Sequence, residues 1–205
     1  MLLGEVLKNI NKKHKKIRFS NIKFDSRDCK PNDLFFAISG NNSDGNRYIK
    51  NAIKNGARII VSNSKLKNDY KKNILFIYDK NPRKLISDVS NKFYKLKPNN
   101  IIAVTGTNGK TSVANFYQQI LTLNNKKVAS IGTLGVLSKK IRITTNNTTI
   151  DPVSTHKILQ DLKKSKIENV ILEASSHGLK QHRLNNIKFK TAIFTNLSRD
   201  HLDYH

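Results

Sequence analysis

The chain contains a single cysteine, few acidic residues and no long apolar run. With only Cys29, an internal disulfide is excluded, and a reducing compartment suits the composition. Cys29 stands in no cysteine or histidine ligand pattern, so its default role is structural. No apolar stretch approaches the ~18 residues that cross a bilayer. The opening "MLLGEVLKNINKKHKK" lacks the apolar core and small-residue cleavage site of a signal peptide. These absences predict a soluble, cytoplasmic protein with no membrane partner.

The scarcity of acid is pronounced: 14 Asp and Glu stand against 38 Lys and Arg, a formal net charge of +24. Such a balance raises the question of a nucleic-acid or anionic-surface partner. The charge is mostly lysine, however, spread from end to end among many asparagines, as genome-wide compositional drift would leave it. No segment interleaves basic residues with aromatics, and no nucleic-acid motif occurs. The expectation is no nucleic-acid partner and an anionic small substrate, with a basic nucleic-acid-binding protein as the alternative from another class.

At 205 residues the chain has room for one or two domains. "MLLGEVLKNI" reads as a short amphipathic helix and "DLFFAISG" as a strand. Tyr48, Ile49, Ala52 and Ile53 form a helical stripe that Gly56 can cap, followed by the strand "RIIVS". "NILFIYD" is a further strand, and "NPRKLISDVSNKFYKL" a helix with proline near its start. The polar "KLKPNN", Lys95–Asn100, is the candidate linker. The predicted domains are therefore 1–97, a small α/β unit, and 98–205. From Ile101 strands alternate with helices, which predicts a parallel sheet with right-handed crossovers. Ligands of such sheets gather beyond the carboxyl ends of the strands. That rule marks Gly106–Ser112, Gly132–Gly135, Glu173–His177 and Asn196–His201.

Chemistry concentrates at those ends. "IIAVTGTNGKTSVANF" runs from a β-branched strand through a glycine-rich turn into a helix. Gly106 and Gly109 permit backbone angles that let N–H groups face an anion at a helix start. Lys110 adds a mobile charge for phosphates, and Thr111 a hydroxyl for Mg²⁺. Val104 occupies the place of the first glycine in G-x-x-x-x-G-K-[ST]. The plain alternative is a strand–turn–helix with a polar turn. Glu173 ends the apolar strand in "VILEASSHG", where burial is costly without a partner. Mg²⁺ or a nearby lysine could be that partner. "TNLSRDHLDYH" gathers Asn196, Arg199, Asp200, His201, Asp203 and His205, which suit metal binding, proton transfer or the capping of a helix. "TTNNTTIDP" could bind a polar substrate or satisfy its own backbone. "FDSRDCKPNDLF" reads as a turn capped by Asp25 or Ser26.

These stretches, in this order, resemble the Mur ligase family. "VTGTNGKTS" looks like that family's phosphate loop, which lacks the first glycine. "DSRDCKPNDLFFAISGNNSDGNRYI", "IGTLG", "NTTIDP", "EASSHGLKQHR" and "FTNLSRDHLDYH" resemble the branch that adds the third peptide residue to a cell-wall precursor. "GTNGKT" alone would equally fit folylpolyglutamate synthase or cyanophycin synthetase. The resemblance implies a uridine-nucleotide α/β domain, then the first part of a P-loop parallel-sheet ATPase domain, in a monomer. It implies an ATP- and Mg²⁺-dependent ligase that joins a diamino acid to UDP-MurNAc-L-Ala-D-Glu through an acyl phosphate.

Residue by residue, the resemblance places Phe24, Ser26, Asn41, Asn42 and Ser43 at the uridine nucleotide. Thr148, Thr149, Ser175, Gln181 and Arg183 fall at the muramoyl-peptide end. Gly106, Thr107, Asn108, Gly109, Lys110, Thr111 and Ser112 fall at ATP, with Lys110, Glu173 and His201 catalytic. Thr111, Glu173 and His201 are the implied metal ligands. "DKNPRK" resembles the Asp-Asn-Pro-Arg motif of the family's third domain, but here it opens a helix in the first and receives no substrate role. The resemblance also implies that the C-terminal ligase domain and a carbamylated lysine fall outside these 205 residues. On that reading the chain alone is expected to be inactive and its central sheet to carry an open edge.

Overall fold

The computed structural model describes residues 1–40, 43–64, 69–71 and 73–199. Asn41, Asn42 and His201, three of the expected site residues, lie outside them. Two compact units divide the chain, Met1–Phe93 and Tyr94–His205. Both are α/β with largely parallel sheets, in agreement with the expected fold class.

The first unit contains α1 (Leu3–Val6), β1 (Ile22–Lys23), β2 (Leu34–Phe36), α2 (Ile49–Lys54), β3 (Ile59–Ser62), β4 (Asp69–Lys71), β5 (Ile74–Tyr78) and α3 (Pro82–Phe93). Its sheet runs β1-β2-β3-β5-β4, parallel except for β4 against β5. β2 and β3 are buried on both faces, which is why "LFF" and "IIVS" are continuous apolar runs rather than alternating ones. The stripe on α2 packs Ala52, Ile49 and Ile53 against Phe35, Ile60 and Ile74. α2 ends at Gly56, whose φ of 108° is the left-handed value the turn needs. The Arg83 guanidinium, at the start of α3, donates to the Ser39 carbonyl, so "DKNPRK" has a structural contact in this unit.

The second unit contains β6 (Asn100–Thr105), α4 (Lys110–Leu123), β7 (Val128–Gly132), β8 (Gly135–Ser138), β9 (Arg142–Ile143), α5 (Pro152–Lys164), β10 (Asn169–Glu173), α6 (Ser176–Lys180) and β11 (Thr191–Phe194). The sheet order is β11-β6-β10-β7-β8-β9. β11, β6, β10 and β7 are parallel. After β7, where strict alternation of strands and helices would lead straight to α5, the chain turns back as two antiparallel strands, β8 and β9. Its tight turn requires Gly135, at φ 91°, where a β-carbon would sit 2.2 Å from the Ile143 carbonyl oxygen.

One face of this sheet packs Ile131, Val170 and Leu172 against Leu159 and Leu162 of α5. Truncating such a leucine costs about 2–5 kcal/mol. The other face has a thinner core of Val104, Ala114 and Ile171 beneath α4. Phe116, Ile120 and Leu123 of α4 are exposed, as is Phe194 on the edge strand β11.

The expected linker is bound to the second unit, which places the division at Phe93/Tyr94. The Asn99 amide donates to Glu168 Oε2 at 2.9 Å, and Lys163 Nζ donates to Glu168 Oε1 at 2.6 Å. Pro98 is buried. Beneath lies His156 of α5, fully buried, with no partner in good hydrogen-bond geometry for either ring nitrogen among the described residues and the Asn185 backbone as its nearest polar neighbour in effect. Burial, and then the charge of Lys97, lower its pKa from 6.5 to about 4, against a smaller upward pull from the Asn185 backbone.

That shift has a definite pH signature. Between pH 4 and 6.5 the unfolded chain takes up a proton that folded His156 refuses. Stability is therefore fully present above about 6.5 and falls as pH drops toward 4, by about 3 kcal/mol in all. His156→Leu is expected to flatten this part of the profile. Urea melts at several pH values compare the two proteins, and parallel profiles would contradict the assignment.

Candidate functional site

Parallel pairing brings the carboxyl ends of β6, β10, β7 and β11 to one rim of the second sheet. Glu173 pairs with Val104, and Leu172 with Ile131. Thr105, Glu173 and Gly132 therefore end their strands side by side, and the loop from β6 into α4 leaves from the same rim. Gly106 has φ 132°, and a β-carbon there would lie 2.1 Å from Thr195 Oγ1. Glycine is demanded by both the angle and the crowding. Gly109, at φ 84°, is the N-cap of α4, and no side chain caps that helix. The positive end of its dipole is left to the loop, the arrangement that favours an anion.

The loop is braced from the chain after β11. Thr107 N donates to the Asn196 carbonyl and Asn108 N to Asn196 Oδ1, both at 3.0 Å. Thr195 Oγ1 donates to the Asn108 carbonyl at 2.7 Å, and Ser198 N to Thr107 Oγ1 at 2.9 Å. Lys110 curls back, its ammonium donating to the carbonyls of Gly106 at 2.6 Å and Thr107 at 2.8 Å. Thr111 points across the rim, and Ser112 is exposed.

Thr111 meets Glu173, which is 2% exposed. Thr111 Oγ1 donates to Oε2 at 2.8 Å, Thr133 N to Oε1 at 3.0 Å and Thr133 Oγ1 to Oε2 at 3.1 Å. Gly132 makes room for the carboxylate: a β-carbon there would fall 2.0 Å from Oε1. All these donors are neutral, and among the described residues no cation pairs with Glu173. The donor set suits Mg²⁺, a hard ion that takes one or two protein oxygens and completes its shell with phosphate and water. Among the described residues no three His, Cys, Asp or Glu side chains cluster as a metal cage, so Thr111 and Glu173 are the protein oxygens offered here.

The remaining expected residues of this unit divide in two. Thr148 is half-buried, its hydroxyl 2.9 Å from that of Thr133. Gln181 and Arg183 are half-buried at the end of α6, where Arg183 donates to Gln181 Oε1 and to the Thr149 carbonyl. Thr149 and Ser175 lie beside them with hydroxyls bonded within the scaffold. Thr149 is 1% exposed, and its hydroxyl donates to the Glu173 carbonyl at 2.8 Å while accepting from Ser175 N at 2.9 Å. The Ser175 hydroxyl caps α6 and donates to Thr149.

In the first unit, Phe24 is 45% exposed and Ser43 is exposed. Ser26 is buried, its hydroxyl accepting from Asn51 and its carbonyl from Asn55. The preceding Asp25 caps the turn at Ser26–Asp28, and the Arg27 guanidinium holds its carboxyl below the usual range. Sequence reasoning does not single out Thr133. Its only signal is its place at a strand end, inside "IGTLG".

The contact between Gly132 and Glu173 makes a prediction. Gly132→Ala is expected to destabilise by about 1–3 kcal/mol through overpacking, and Glu173→Ala to remove most of that penalty. A double-mutant cycle of urea melts tests this. Additive effects would contradict the crowding.

A Mur ligase middle-domain model matches residues 104–205, and a Mur ligase family, catalytic domain model matches residues 18–94. The "UDP-N-acetylmuramoyl-L-alanyl-D-glutamate--2,6-diaminopimelate ligase" of Rickettsia montanensis is 43% identical over 97% of the chain, and that of Buchnera aphidicola 42% over its full length. A solved structure with the same name has a TM-score of 0.85 and 28% identity over the whole chain. The chain spans 41%, 42% and 42% of these three proteins. Two matched domains in the family's order, the second carrying the braced loop and buried carboxylate, place the chain in the Mur ligase family.

Proposed function

We propose that this chain carries the nucleotide-binding part of an ATP-dependent amide ligase acting on a UDP-linked muramoyl dipeptide. The incoming group is a diamino acid, and the names of the relatives favour 2,6-diaminopimelate. The observation that carries the reading is Glu173. It is a buried carboxylate held, among the described residues, by neutral donors, one of them the Thr111 hydroxyl next to the lysine of a glycine-rich loop. A carboxylate so placed gains from a cation, and phosphates on the loop would bring one. The absence of a helix long and apolar enough to span a membrane among the described residues suits cytoplasmic nucleotide substrates.

In this reading each residue has a defined task. The loop amides and the N-terminus of α4 hold the phosphates. Lys110 exchanges the carbonyls of Gly106 and Thr107 for phosphate oxygens. Thr111 gives its proton to Glu173 and turns its lone pairs toward the metal side. Mg²⁺ bound there would offset charge on the transferring phosphoryl group. The substrate carboxylate would attack the γ-phosphorus of ATP, releasing ADP and forming an acyl phosphate; the amine then attacks that carbonyl, losing a proton, and phosphate leaves. Arg183 and Thr148 serve the muramoyl-peptide end, while Thr149 and Ser175 hold the frame behind it. In the first unit, Phe24 and Ser43 offer surface to the uridine nucleotide, and Ser26 shapes the turn beside them.

Calorimetry with ATP, UDP-muramoyl dipeptide, a folate and duplex DNA tests the proposal. The first two are expected to bind. Preference for folate would indicate another ligase of the superfamily, and tight DNA binding with a steep salt dependence would overturn the reading. Lys110→Ala is expected to weaken ATP at least tenfold while shifting stability by no more than about 0.5 kcal/mol. Arg183→Ala is expected to weaken the nucleotide sugar by about 1.5–3 kcal/mol and spare ATP. Equal affinities for mutant and wild type would remove the corresponding role.

A further inference from the structure

Glu173 is tied to a second ligand-facing hydroxyl besides Thr111. Thr133 Oγ1 lies 3.1 Å from Glu173 Oε2 and 2.9 Å from Thr148 Oγ1. The position of Thr133 is well determined. It is one of two residues in the tight turn between β7 and β8, where Gly132 pairs with Gly135. Its backbone amide is also held by Glu173 Oε1 at 3.0 Å. The strand of chain bearing Thr148 is laced to the same turn, because Thr145 Oγ1 donates to the Gly132 carbonyl at 3.2 Å.

The direction of the protons in this chain follows from chemistry. An ionised carboxylate only accepts, and a hydroxyl has a single proton to donate. The Thr133 proton goes to Glu173, so the hydrogen bond between the two threonines must be donated by Thr148. Thr148 then has no proton left, and only lone pairs face a ligand. Thr111 is polarised in the same way, its proton on Glu173 and its lone pairs outward.

We propose that Thr133 is a positioning residue through which Glu173 makes Thr148 a hydrogen-bond acceptor, so that the substrate group meeting Thr148 is an N–H or O–H donor. A peptide or acetamido N–H and a sugar hydroxyl have that chemistry. A phosphate or carboxylate oxygen does not. The relay rests on the ligase reading above, and it ties the metal-side carboxylate to the muramoyl side of the same rim. Loss of one neutral hydrogen bond is worth about 0.5–1.5 kcal/mol, which is roughly a 2- to 12-fold change in affinity.

The test uses Thr133→Val, Thr148→Val, the double variant and Thr133→Ser, each checked by thermal melt. Calorimetry measures UDP-muramoyl dipeptide, and also ADP with and without Mg²⁺. Each single valine variant is expected to weaken the nucleotide sugar several-fold, the double variant no further, and Thr133→Ser to bind as wild type. ADP without Mg²⁺ is expected to bind all variants alike, with a smaller gain on adding Mg²⁺ in Thr133→Val. A merely structural role would lower both ADP affinities together. Additive losses in the double variant, or failure of serine to restore binding, would overturn the relay while leaving the ligase reading intact. A wild-type chain that binds neither ADP nor the nucleotide sugar would overturn the ligase reading and the relay with it.

Discussion

The second unit is organised around one buried negative charge. Glu173 lies at the end of a strand that is buried along its length, where an ion is costly unless its oxygens are satisfied. Three requirements follow. Residue 132 must lack a β-carbon, because the carboxylate occupies that space. Two hydroxyls and one amide must converge from two other elements. The strands must also keep their register, since a slip of one residue would turn Glu173 to the other face of the sheet. The sheet, the glycine and the threonines are consistent with one another only in this arrangement.

Neutral donors around an anion leave a net charge for a ligand to balance. Removing a cation from such a site leaves the carboxylate hydrogen-bonded, so the rim can be built before any ligand arrives. The glycine-rich loop before α4 shows the complementary device. Lys110 rests on the carbonyls of its own loop, which holds the ammonium at the N-terminus of α4. Around this buried anion the chain carries a formal charge of +24. A field of that sign draws anionic ligands from a distance without specifying where they bind. Specificity belongs to the rim, where hydroxyl protons are committed in fixed directions.

Threonine and serine illustrate how composition alone underdetermines a site. "TTNNTTIDP" and "EASSHG" supply several hydroxyls. The fold spends those of Thr149 and Ser175 on the carbonyl of Glu173 and on the first turn of α6. It leaves those of Thr111 and Thr148 at the rim. Neighbouring hydroxyls thus differ in burial and partner, Thr149 bonded to the Glu173 carbonyl and Thr148 to the Thr133 hydroxyl at the rim, according to which way the backbone turns.

Local pattern determined the element types and most of their places. β-Branched runs marked β3, β6 and β10, the stripe from Tyr48 to Ile53 marked α2, and "GTNGKT" marked the glycine-rich turn into α4. Each depends on neighbours within a few residues, so the sequence by itself contains the signal. It also placed Glu173 at a strand end. The antiparallel β8 and β9 were not legible, because strands of four and two residues are defined by their hydrogen-bonding partners rather than by their own residues. Nor was the docking of 94–99 on α5, which depends on Glu168 more than sixty residues away. Thr133 was hidden for the same reason: its partners are Glu173, 40 positions on, and Thr148, 15 positions on. Tertiary structure alone decided which polar groups share protons. A hydrogen bond is a matter of distance and direction, and only the packed strands bring those groups within reach.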